Sequence, residues 1–85
     1  MNTEVFTLLN DVNVIKEFIN KVQMCEGDVD IMSADKRYVV DAKSVMGIFS
    51  LDLARPVCIT FHKESDYDKL SDFIIKNFRS AAVTK

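Results

Sequence analysis

The chain has 85 residues, of which 48% are hydrophobic and 28% charged, and its formal net charge is -2. This composition excludes intrinsic disorder, and a core of this size serves one domain, which we place at residues 1–85. The 11 basic residues are dispersed and are outnumbered by 13 acidic ones, so we expect no direct nucleic-acid partner. No apolar run has the length of a bilayer span and the N-terminus lacks a signal-peptide pattern, so we expect no membrane partner and a cytoplasmic location.

The first two elements are predicted to be a strand and a helix. Residues 4–9 form a short β-favouring run, which predicts the strand. The helix is predicted by apolar residues at helical spacing, which are Ile15, Phe18, Ile19 and Val22. We expect Asp11 or Asn13 to cap the helix and Gly27 to end it in a left-handed conformation.

The middle of the chain predicts a hairpin and a short helix. Residues 29–31 alternate, residues 33–36 are turn-like and residues 38–40 favour a strand. Ser44 then predicts the N-cap of a short helix that ends near Asp52 or Leu53. Pro56 prevents the helix from continuing and precedes residues 57–61, the strongest strand signal in the chain.

A final helix is predicted by the apolar stripe Tyr67, Leu70, Phe73, Ile74 and Phe78. Ser65 or Asp66 is expected to cap this helix. The predicted order βαββαβα indicates an α+β open-faced sandwich, in which three helices cover one face of a four-stranded antiparallel sheet.

The two cysteines predict no metal site and no disulfide. Cys25 and Cys58 are isolated and form no C-x-x-C pair. We expect both to be small buried side chains, since free cysteine is among the most buried residue types. No Gly-rich phosphate loop, nucleophile elbow or metal-ligand spacing is present, so we expect no enzyme, no catalytic residues, no metal and no cofactor.

Residues 42–51, Ala-Lys-Ser-Val-Met-Gly-Ile-Phe-Ser-Leu, resemble the regulatory-serine segment of the HPr phosphocarrier family. The lysine, the serine, the Met-Gly pair and the Ser-Leu pair all stand where the family pattern has them. The resemblance implies an HPr-like fold in which Ser44 is a regulatory phosphorylation site, and Val45, Met46 and Phe49 dock a protein partner. HPr kinase and a transcriptional regulator are the partners that it implies. The alternative is that Ser44 only caps a helix whose apolar residues pack inside.

The phosphocarrier motif of that family is absent from this chain. Phosphocarrier members have a histidine in a Gly-x-His-Ala-Arg-Pro-Ala stretch between the first strand and the first helix, whereas residues 8–15 read Leu-Leu-Asn-Asp-Val-Asn-Val-Ile. Phosphoryl acceptance on nitrogen requires an imidazole, which no residue of this stretch provides. Ala54-Arg55-Pro56 matches the Ala-Arg-Pro of the motif but lies after the second helix and before the last predicted strand. An HPr-like fold would place His62 at the end of the sheet opposite to the missing phosphorylation site.

We therefore expect an HPr-like regulatory or interaction protein related to the bacterial phosphotransferase system, comparable to the catabolite-repression relative of HPr that also lacks the phospho-histidine. That relative keeps the Ala-Arg-Pro-Ala residues, whereas here the whole loop is rebuilt. Two alternatives stay open at this point. One is a phosphotransferase-system carrier that uses His62 or another nucleophile. The other is a purely structural or oligomerising domain, in which Met46 and Phe49 are buried.

Overall fold

A computed structural model describes residues 2–84 of the chain, with the side chains of all of them except Arg79 and Ser80. The strands are β1 (Thr3–Leu8), β2 (Val29–Met32), β3 (Val39–Asp41), β4 (Val57–Phe61) and β5 (Arg79–Thr84). The helices are α1 (Val12–Val22), α2 (Val45–Phe49) and α3 (Glu64–Asn77). Every pair of neighbouring strands is antiparallel, and the strand order is β3-β2-β4-β1-β5. The fold is α+β, as the sequence predicts.

The first seven elements follow the order βαββαβα, and β5 is an eighth element that the sequence did not predict. It makes the sheet five-stranded, because residues 79–84 pair with the outer edge of β1. Glu4 lies opposite Thr84 and Phe6 opposite Ala82. Backbone hydrogen bonding to an otherwise open strand edge explains this element better than its own residues do, since Ala81 and Ala82 have little preference for strands.

The hydrophobic core lies between the three helices and one face of the sheet. The strands supply alternate residues to it, and these are Val5, Val29, Ile31, Val57, Ile59 and Phe61. Helix α1 supplies the apolar stripe that the sequence predicts, and α2 supplies Ile48. The two cysteines are buried and free, with exposures of 7% at Cys25 and 8% at Cys58.

Helix α1 begins as predicted but does not end as predicted. The side chain of Asp11 caps it by accepting hydrogen bonds from the amides of Asn13 at 2.9 Å and Val14 at 3.3 Å. The left-handed stop at Gly27 is wrong, because the helix ends at Gln23 in right-handed geometry and no glycine has a positive φ within residues 2–84.

Helix α3 also starts differently from the prediction. Lys63 is its N-cap residue and makes no side-chain cap hydrogen bond, so neither Ser65 nor Asp66 has the predicted role. Asp66 instead lies inside the helix and is fully buried. Its carboxylate accepts hydrogen bonds from the amides of Glu26 and Gly27, at 3.1 Å and 2.8 Å. The amides of Glu26 and Gly27, in the loop between α1 and β2, therefore bind the side chain that the sequence assigns to the helix cap.

Candidate functional site

Ser44 begins helix α2 with an exposed side chain. Its backbone is extended, and its Oγ accepts one hydrogen bond, from the amide of Gly47 at 3.2 Å. Buried Ala42 and Ile48 lie on either side of it in the chain and anchor the segment to the core. The structure thus places Ser44 at the predicted N-cap, with its hydroxyl open to solvent.

Gly47 allows α2 to lie close to strand β3. A Cβ atom at this position would be 3.2 Å from both Ser44 Oγ and Val40 Cβ, which is tighter than most real contacts. The glycine therefore weakens the helix by propensity but permits its close approach to Val40. In this arrangement Ile48 is the residue of the five-residue helix that faces the core.

The other apolar residues of α2 face solvent. Met46 is 85% exposed, Val45 49% and Phe49 40%, while Ile48 is buried. Burial of Met46 and Phe49, which a purely structural role for this helix predicts, is therefore not observed. Single exposed apolar residues are common on protein surfaces, but three in one turn and a half of helix form a patch.

A groove of about 330 Å³ lies beside Phe49 and continues this patch. It is lined by Leu9, Asn10, Val12, Ile15, Phe49, Leu53 and Ala54. Val12, at the start of α1, is 52% exposed. We call the exposed residues Val12, Val45, Met46 and Phe49 the α2 surface. Neither Val12 nor the groove was predicted from the sequence, because Val12 is at helical spacing with buried Ile15 and carries no signal of exposure.

His62 lies far from this surface. Strand β4 runs antiparallel to β1, so that Val57 pairs with Thr7 beside the start of α1 and Phe61 pairs with Thr3 at the other end. His62 follows Phe61, and its Nε2 is 2.8 Å from the Oδ2 of Asp30. The only histidine is therefore at the end of the sheet opposite to the β1–α1 loop, as predicted.

The buried carboxylate of Asp66 has a lowered pKa. Burial raises the pKa of Asp66, but the amide hydrogen bonds from Gly27 and Glu26 and the nearby ammonium groups of Lys69 and Lys63 lower it more. The net effect is a pKa below the usual aspartate value, so this carboxylate is ionised at neutral pH. Asp66 therefore stabilises the structure and is not poised to donate a proton.

The buried thiols are poor nucleophiles. Burial raises the pKa of Cys25, and the charge of Asp66 raises it further. Burial likewise raises the pKa of Cys58. Both therefore have less thiolate at neutral pH than an exposed cysteine. Over residues 2–84 no group of three or more potential ligands is arranged to hold a metal ion, and none of the helices in that range is both long and apolar enough to cross a bilayer.

Comparison of the chain with protein-family models, with curated proteins and with solved structures finds no match.

Proposed function

We propose that this chain is a divergent, cytoplasmic HPr-like regulatory protein, not an enzyme and not a histidine phosphocarrier. It docks a partner protein through the α2 surface, and phosphorylation of Ser44 regulates the docking. The observation that carries the proposal is the exposure of Met46, at 85%, two residues from the exposed hydroxyl of Ser44.

The HPr-like part of the proposal is supported by element order. The first seven elements follow βαββαβα, and the fourth strand lies antiparallel beside the first. Strand β5 is an addition to this arrangement. It lies at one edge of the sheet, and β3, the strand that precedes α2 in the chain, lies at the other edge.

The docking part is supported by the chemistry of the α2 surface. Methionine is flexible and polarisable, so Met46 can adapt to a partner's surface. Burying one such side chain contributes about 1.5–3 kcal/mol. The groove beside Phe49 offers a concave apolar site for a partner side chain.

The regulatory part follows from the position of Ser44. A phosphate on Oγ adds about -2 charge next to the first amides of α2. Those amides carry the positive end of the helix dipole, so the modified helix start need not unfold. The same charge, two residues before Met46 and five before Phe49, supplies an ionic anchor for a basic residue of the partner.

Calorimetric titration of an HPr-binding transcriptional regulator with this protein, phosphorylated on Ser44 by HPr kinase, tests the proposal. We expect saturable binding that Met46→Asp weakens about tenfold or more, because a charge replaces a buried methionine. Ile75→Asp is the matched control, since Ile75 is 68% exposed on helix α3. Equal loss in both variants, or no binding of the phosphorylated wild type, would overturn the proposal.

A further inference from the structure

One row of residues on the uncovered face of the sheet is apolar across all five strands. The cross-strand register places these residues directly beside one another, in the order Val39, Met32, Cys58, Phe6 and Ala82. They point away from the helices, because the intervening strand residues such as Val5 and Ile59 are in the core. We call these five residues the apolar row.

The neighbouring row on the same face is polar across all five strands. It reads Asp41, Asp30, Thr60, Glu4 and Thr84. An antiparallel sheet with one face in water normally carries polar residues on that whole face. The polar row follows this rule. The apolar row does not, because it leaves apolar side chains in water, with Phe6 45% and Val39 58% exposed.

The two ends of this face differ in charge, because one is acidic and the other carries Lys36 and Arg55, with Asp35 and Asp52 beside Arg55. Asp41, Asp30 and Glu4 lie on one side of the apolar row. On its other side lie Lys36 and Arg55, and a depression of about 440 Å³ extends from them across the row, past Phe6 and Cys58, to Glu4. Among the side chains that the structure describes, neither Lys36 nor Arg55 forms an ion pair.

We propose that a second copy of this chain covers this face and forms a two-fold symmetric dimer by packing sheet against sheet. A two-fold axis along the apolar row places the row of one copy on the row of the other. The same rotation exchanges the two ends of the face, so the acidic residues of each copy meet Lys36 and Arg55 of its partner. The contact is therefore complementary to itself, as a two-fold interface requires.

The dimensions of the face fit a small, reversible interface. Five strands about 4.8 Å apart make a face about 24 Å wide, and the strands, of three to six residues, extend about 10–20 Å along it. The face therefore has an area of about 400 Å² per copy, which is below the standard size of specific interfaces and in the range of weak, transient ones. Two such sheets would pack about 10 Å apart, as in a β-sandwich. The interface leaves the α2 surface free, so this proposal does not depend on the proposed function.

Sedimentation equilibrium of the full chain tests this proposal. We expect the apparent mass to rise with concentration from 9.7 kDa towards twice that value. Two charge-swap variants provide the decisive comparison: E4K/D30K makes both ends of the face basic, and K36D/R55E makes both ends acidic. Each alone should self-associate about tenfold more weakly or worse, because like charges meet at both ends. An equimolar mixture should form a heterodimer, since opposite charges then meet at both ends.

Phe6→Lys should also abolish self-association, whereas Ile75→Lys on α3 should not affect it. Circular dichroism and thermal unfolding of each variant confirm that it is folded. A wild-type protein that stays monomeric up to about 1 mM would overturn the proposal. The same monomeric result is expected if another protein or a small ligand, and not a second copy, covers this face. A dimer that Phe6→Lys and both charge-swap variants leave intact would overturn it as well.

Discussion

The carboxylate of Asp66 accepts a 2.8 Å hydrogen bond from the amide of Gly27, 39 residues earlier in the chain. The amide of Glu26 donates a second one, and the ammonium of Lys69 lies 3.8 Å from the same side chain. Gly27 has no room for a side chain, since a Cβ atom would be 2.9 Å from Lys63 Cγ and 3.3 Å from Asp66 Oδ2. This contact joins the end of α1 to the start of α3.

Asp66→Asn should lower the free energy of unfolding by about 2 kcal/mol, because the asparagine oxygen accepts from only one of the two amides and its NH2 group, a donor, faces the other. Urea denaturation measures the change. Asp72→Asn is the matched control, since Asp72 is an exposed aspartate on the same helix and its substitution should change stability by less than about 0.5 kcal/mol. Equal stabilities of the two variants would show that the Asp66 contact contributes nothing.

The contribution of Asp66 should disappear in acid. Its pKa in the folded protein is below the usual value, whereas the pKa of an aspartate in an unfolded chain is about 3.9. A carboxyl group whose pKa is lower in the folded than in the unfolded protein stabilises the fold at pH values above its unfolded pKa. This stabilisation is lost as the pH falls through its folded pKa. The stability difference between wild type and Asp66→Asn should therefore be constant near neutral pH and shrink below about pH 4. A difference that grows in acid would contradict the assignment.

Ser44→Ala should destabilise the protein by about 1 kcal/mol, because the Gly47 amide loses its acceptor. Ser44→Asp retains an acceptor at the N-cap and should be close to wild type in thermal unfolding. This pair separates the capping role of Ser44 from its proposed regulatory role. Identical melting temperatures for all three proteins would mean that the cap makes no contribution.

Lys36 is the one non-glycine residue with a positive φ within residues 2–84, at 63°. Lys36→Gly should therefore stabilise the protein by up to about 1 kcal/mol, since glycine adopts this conformation without steric cost. Lys36→Ala keeps the Cβ and should give no such gain. Chemical denaturation of both variants measures the effect, and a destabilising glycine would contradict it.

Both thiols should react slowly with an aromatic disulfide reagent at neutral pH in the native protein and rapidly after denaturation. Burial keeps reagent out and raises the pKa of Cys25 and Cys58, which lowers their thiolate content. The absorbance of the released aromatic thiol measures the rate of modification, and this rate should increase with pH as the cysteine thiols ionise. Fast stoichiometric modification of the native protein near pH 7 would show that a thiol is accessible.

The sequence predicted the elements whose signals are local. Strand β4 follows Pro56 and is rich in β-branched residues, and α1 has four apolar residues at helical spacing. Strand β5 was missed because its formation depends on the free edge of β1, which residues 79–84 do not encode locally. Asp66 was assigned to a cap because its partner, Gly27, is distant in sequence.

The candidate site was partly predictable, because only some of its features have a local signal in the sequence. Serine before an apolar run indicates an N-cap, and the structure places Ser44 there. Five residues are too few for helical periodicity to show which side of α2 faces the core. In the folded chain α2 approaches Val40 at Gly47, with Ile48 buried and Met46 exposed, and this arrangement is visible only in three dimensions.

The most direct test of the central claim is phosphate transfer from labelled ATP by HPr kinase, with mass spectrometric mapping of the product. Wild type and Ser44→Asp are compared, because the aspartate keeps the cap but offers no hydroxyl. The account predicts one acid-stable phosphate on Ser44 of the wild type and none on the variant. An unlabelled wild type, or labelling that survives in Ser44→Asp, would contradict it.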